Sequence, residues 1–158
     1  MQRIMLVISS VVKAEAAVER ALHLTKENDS ELYVTLFLEK EIPDTLTSIM
    51  RDSGYMGEKV QEEVKDTIKD QYVLRVKNLR YNIQERAKEE EIDYNFETIR
   101  KASLTKCSDL IDKKNINYLV INYTNDQYIG QVVSRNFKKD FLQDLNIPYE
   151  LYLDGEKA

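Results

Sequence analysis

The chain reads as a three-layer α/β sandwich, a five-stranded, mainly parallel sheet with helices on both faces. Three features of its 158 residues lead there. Short apolar runs of strand length alternate with segments of helical period, roughly one strand per 30 residues. The two most apolar runs, Arg3–Ile8 and Ile116–Ile121, are near-continuous rather than alternating, as strands buried on both faces are. Parallel strands need helical crossovers, and a helical pattern separates each strand from the next.

The elements follow in order. Arg3–Ile8 (RIMLVI) opens the sheet near its centre. Ser9 and Ser10 offer N-cap hydroxyls to a helix whose Ala14, Ala17, Val18, Ala21, Leu22 and Thr25 share one face, small enough to lie close on a sheet. Asn28, Asp29 and Ser30 break it, and Leu32–Leu38 completes a βαβ unit. Glu39–Gly57, with Pro43, Gly54 and Gly57, reads as a loop holding one helical turn, a lid over the sheet or an oligomer surface. From Glu58 to Glu91, Val60, Val64, Ile68, Tyr72 and Val76 recur at steps of four, then Leu79, Ile83 and Ala87. That is one long helix, or two broken near Asp70.

Tyr94–Arg100 alternates and takes a more exposed place in the sheet. Ser103 is placed to cap a helix with Leu104, Cys107, Ser108, Leu110 and Ile111 on its inner face, ending at Lys114. Ile116–Ile121 follows, then a polar loop, then a helix carrying Val133, Phe137, Phe141, Leu142 and Leu145. Ile147–Leu153 is the last strand, with Ile147, Tyr149, Leu151 and Leu153 on a buried side. Asp154–Ala158 reads as a disordered tail, and the whole as one domain.

Composition narrows the function. A formal charge of -5 with mixed signs, 42% hydrophobic and 32% charged residues, and no basic stripe argue against nucleic-acid binding. No apolar stretch reaches the length of a membrane span and no signal-like segment precedes the first strand, so a cytoplasmic protein is expected. A single cysteine, Cys107, excludes an internal disulfide and a CxxC pair. A single histidine, His23, sits in a charged helical segment as a surface residue, which leaves no Ser-His-Asp or multi-histidine metal site. Lys13, Lys26 and Lys101 lack a glycine-rich phosphate loop, and Asp109, Asp112 and Asp126 are too scattered to form a carboxylate pair. Tyr118, Tyr123 and Tyr128 either close the core or stack on a planar ligand. No catalytic residue and no metal ligand is nominated, and no enzyme activity is expected.

In an open parallel sheet, ligands bind beyond the carboxyl ends of the strands, so the loop after Asn122 is where a site is sought. Nearly the whole chain resembles the universal stress protein family, through RIMLVISS, AAVERALHLTKEN, ASLTKCSDLIDKKNINYLVIN and FLQDLNIPYELYL. The resemblance implies an adenine nucleotide alpha hydrolase-like fold and a homodimer paired through the last strand, Ile147–Leu153. For the family's nucleotide-binding members it also implies an aspartate ending the first strand and a G-xx-G, nine-residue, G-Ser/Thr pattern after the fourth. Here Ser9 stands in place of the aspartate, Asn122 and Asn125 near the loop glycines, and Arg135–Asn136 at the Gly-Ser position. The lost glycines matter physically, because a side chain obstructs the close approach of backbone to polyphosphate.

Two readings follow. One is a stress-response regulatory or interaction module without bound nucleotide, with no cofactor expected and an unidentified protein as a further partner. The other is an ATP-binding switch or weak ATPase, in which Ser9, Asn122, Asn125, Gly130, Ser134, Arg135 and Asn136 form a variant phosphate cradle.

Overall fold

The computed structural model describes residues 2–9, 11, 13–38, 58–100, 104–123 and 145–158. Its elements are β1 (Arg3–Ile8), α1 (Glu15–Glu27), β2 (Glu31–Leu38), α2 (Glu58–Glu89), β3 (Tyr94–Arg100), α3 (Leu104–Lys113), β4 (Tyr118–Tyr123), β5 (Tyr149–Leu153) and β6 (Glu156–Lys157). They form a six-stranded sheet in the order β3-β2-β1-β4-β5-β6. The first five strands of that order pair in parallel, and β6 runs antiparallel to β5. The sheet is the expected mainly parallel one with one strand more.

The centre is β1, flanked by β2 and β4 with Leu6 opposite both Val34 and Val120. Ile4, Leu6 and Ile8 face α1, where they meet Ala17, Val18, Ala21 and Leu22, together with Ile83 of α2. Met5 and Val7 face the other way, toward Cys107 and Ile111 of α3 and Leu119 and Ile121 of β4. Burial on both faces is why β1 and β4 read as unbroken apolar runs. The outer strand β3 alternates half-buried Tyr94 and Phe96 with exposed Asn95 and Glu97 as its sequence predicts, but Thr98 is exposed and Ile99 packs half-buried on the opposite face.

Helix α2 is unbroken over 32 residues, about 48 Å at 1.5 Å per residue. Asp70 breaks nothing, because a charged residue on a solvent face costs a helix little. Among its described side chains Ile83 and Ala87 are fully buried and Val76 and Leu79 pack partly buried on the core, whereas Val73, Leu74 and Tyr81 are exposed. Arg80 lies 4.9 Å over the Phe96 ring of β3. The side chains of Val60, Val64, Ile68 and Tyr72, the Glu39–Gly57 segment, Ser103, and the helix expected from Val133 to Leu142 lie outside the described residues.

Three expectations change. Ser9 does not cap α1: the helix starts six residues later, with Ala14 as its N-cap and no side-chain cap bond, so the Ser9 hydroxyl is too far back along the chain to reach it. The last strand begins at Tyr149 rather than Ile147. Tyr149, expected on the buried side, is 41% exposed at the strand's start, while Glu150 and Tyr152, opposite in direction to the buried Leu151, are themselves buried. Asp154–Ala158 is a turn and a strand rather than a disordered tail. Asp154 (φ 52) and Gly155 (φ 86) make an Asp-Gly hairpin turn whose positive dihedrals match the twist of the strands it joins. Ala158 N then donates to Leu151 O at 2.8 Å.

Candidate functional site

The strand order reverses between β1 and β4: β1 leads on to β2 and β3 on one side, and β4 to β5 on the other. The crevice at such a switch point, beyond the carboxyl ends, is where open α/β sheets bind ligands. Ser9 directly follows β1 and Asn122 lies next to the last residue of β4, both with no accessible surface. Ser9 N donates to Asn122 O at 3.1 Å and Ser9 Oγ donates to the same oxygen at 2.7 Å. One strand further, Asp154 N donates to Tyr123 O at 3.1 Å. The ends of β1, β4 and β5 are thus tied to one another.

Ser9, which the resemblance aligns with the aspartate, has its hydroxyl already donated to Asn122 O. Beyond it Val11 is buried, Lys13 turns through a positive φ of 51, and α1 begins. The first turn of α1 carries Glu15, whose carboxylate suits the positive helix end and competes there with any other anion. Of the seven residues that the sequence nominates, Ser9 and Asn122 are brought into contact. Asn125, Gly130, Ser134, Arg135 and Asn136 lie outside the described residues.

A second constellation escapes the sequence reading. Glu150 on β5 has a 6% exposed side chain; it accepts from Arg20 Nε of α1 at 2.9 and 3.1 Å, and Lys157 Nζ of β6 lies 2.7 Å from it. Burial pushes its carboxyl up, but Lys157 and Arg20 pull it down further, and the net position is below the usual carboxylate range. Tyr118 beside it is raised, by burial first and by the Glu150 charge second. The alternation of YELYL points Glu150 away from Leu151, and only the placing of α1 shows that this side is also covered. Arg20, beside the buried Ala21 and three residues after Ala17, was the available signal.

The other charged cluster is a groove of about 410 Å³ between α1 and α2, lined by Glu19, His23, Lys26, Glu27, Arg86 and Glu90. Arg86 bonds Glu19 and lies 3.3 Å from Glu90, and Lys26 Nζ donates to Glu90 O. These contacts clasp the two helices together. His23 is exposed there, as expected, 3.3 Å from Glu27. Among the described residues no group of His, Cys, Asp or Glu side chains is arranged to hold a metal ion. Cys107 is buried and its thiol is pushed up to about 12 by that burial, so it stays protonated and unreactive at neutral pH.

No family model matches the chain, and no curated protein sequence matches it. Solved structures do. A protein of the universal stress protein family from Burkholderia pseudomallei is 14% identical with a TM-score of 0.52, covering 94% of each chain. The universal stress protein UspA from Lactobacillus plantarum is 16% identical with a TM-score of 0.57, covering 95% of this chain and 96% of its own. A universal stress protein solved in complex with cAMP is 12% identical with a TM-score of 0.54, covering 96% of both. The chain is therefore similar in fold to universal stress proteins over 94–96% of its length, and at these identities the likeness is one of fold.

Proposed function

We propose that this chain is a universal-stress-protein-like regulatory or interaction module of the stress response, cytoplasmic, acting through protein contacts rather than bound nucleotide. The observation that carries this reading is Ser9. The residue at the end of β1 is not an acid, and its hydroxyl is spent on Asn122 O at 2.7 Å instead of facing a ligand. The sequence adds that Gly130 is the only glycine between Asn122 and Asn136. Among the described residues no helix is long and apolar enough to cross a membrane. A homodimer through the last strand, Ile147–Leu153, belongs to the same reading.

A thermal-shift titration with ATP and magnesium tests it. A ligand at 100 times its dissociation constant adds about 2.7 kcal/mol of stability, several degrees in a domain of this size. No shift is expected, and no nucleotide in the purified protein. The second reading, an ATP-binding switch or weak ATPase, draws on the position of Ser9 and Asn122 at the switch point and on the fold relative solved with cAMP. Stoichiometric nucleotide, weakened by Arg135→Ala and not by His23→Ala, would establish that reading in place of the first.

A further inference from the structure

Helix α2 carries a second stripe on its far side. Leu74 and Tyr81, 57% and 64% exposed, each stand two residues before Val76 and Ile83, which pack on the core. They therefore lie about 200° round the helix from it. Steps of four and three residues continue the stripe back from Leu74 through Asp70 and Thr67 to Glu63. In the other direction they pass Lys77, Tyr81 and Gln84 and reach Lys88. All of these side chains are exposed. The steps keep them on one face, the face that a second helix would meet.

The charges on that face are sorted along the helix. Both acids, Glu63 and Asp70, come before Leu74, and both lysines, Lys77 and Lys88, come after it. Among the described residues none of the four takes part in an ion pair. A two-fold contact requires a surface complementary to itself, and a stripe acidic at one end and basic at the other meets that requirement only when reversed.

Reversal about an axis level with Arg75 and Val76 puts Glu63 opposite the partner's Lys88 and Thr67 opposite the partner's Gln84. Asp70 then meets the partner's Tyr81, and Leu74 the partner's Lys77. Each layer matches: carboxylate with ammonium, hydroxyl oxygen with amide, carboxylate with phenol O–H, leucine with the methylene stem of lysine. Thr67 Oγ donates to Glu63 O of its own helix at 2.9 Å and so keeps a lone pair for the amide. A parallel pair would stack each acid on its own copy and each lysine on its own copy, which is disfavoured. We propose that a second copy of this chain docks antiparallel on this stripe of α2. The contact is small and charged, so the dimer is reversible and weakens with salt.

This surface involves neither the last strand nor the switch point, and it is tested apart from both. Full-length chains bearing Thr67→Cys are mixed with chains bearing Gln84→Cys and oxidised, while Cys107 stays buried. The expected product is the mixed disulfide, whereas parallel helices would link each variant to itself. In sedimentation, Glu63→Lys or Lys88→Glu alone raises the dimer dissociation constant roughly tenfold, and the two together in one chain restore it. Like-with-like disulfides, or a double variant as weak as the singles, overturn the antiparallel docking. A dimer indifferent to both single reversals and to salt overturns it as well and leaves pairing through the last strand. A chain monomeric at every concentration overturns both contacts. None of these outcomes bears on the thermal shift with ATP.

Discussion

Substituting alanine for Ser9 removes the hydroxyl donated to Asn122 O but keeps the backbone bond to the same oxygen. The loss is therefore modest, about 1 kcal/mol and a melting temperature lower by roughly 2–4 °C. Restoring the acid expected at that position is different in kind. Ser9→Asp sets a carboxylate with no accessible surface against a carbonyl oxygen, and is expected to cost several kcal/mol in denaturant titration. Glu150 is tested by pH. Its carboxyl sits below its ordinary value in the folded chain, so its stabilisation is present at neutral pH and is lost as pH falls through the folded value. Glu150→Gln should lower stability at pH 7 and flatten its decline as pH falls below the ordinary carboxylate range. Parallel acid titrations in which wild type and variant decline alike would refute this assignment.

At the scale of elements, the two central strands and the long helix make opposite predictions. Val120 is fully buried between β1 and β5, and Val120→Asp should cost several kcal/mol by leaving a carboxylate in an apolar layer. An unchanged melting temperature would contradict the strand. Along α2 the cost should depend on position. Ile83→Ala opens a cavity under fully buried packing, about 2–5 kcal/mol, while Tyr81→Ala, on a 64% exposed side chain, should stay within about 0.5 kcal/mol. Urea titrations giving the two variants similar losses would mean that the helix is turned otherwise. The strand-helix alternation and most element bounds were readable because apolar period reports the covered face. The Ser9 cap was not, since a hydroxyl ahead of a helix in sequence can serve another strand in space.

For the whole molecule, the sheet order puts the reversal between β1 and β4 and so puts Ser9 beside Asn122, residues 113 apart in sequence. It also sets α1 and α2 on one face and α3 on the other, and brings Arg20, Glu150 and Lys157 together from a helix and two strands. The prediction at this scale is the absence of a thermal shift with ATP and magnesium. Protein stabilised by ATP to the extent that tight binding requires would overturn the interaction reading and leave the fold unchanged.

The sequence by itself determined the class of fold, the two strands at its centre and the scarcity of glycine between Asn122 and Asn136, where Gly130 stands alone. Those are matters of local period and residue type, which each segment carries in its own side chains. Only the tertiary structure decided that the Ser9 hydroxyl belongs to β4, that Glu150 is buried between two cations, and that the chain ends in a strand lying on its own sheet edge. Each of these depends on which segments become neighbours. A polar residue in an alternating strand reads as exposed until the helix that covers it, or the strand that pairs beside it, has a place.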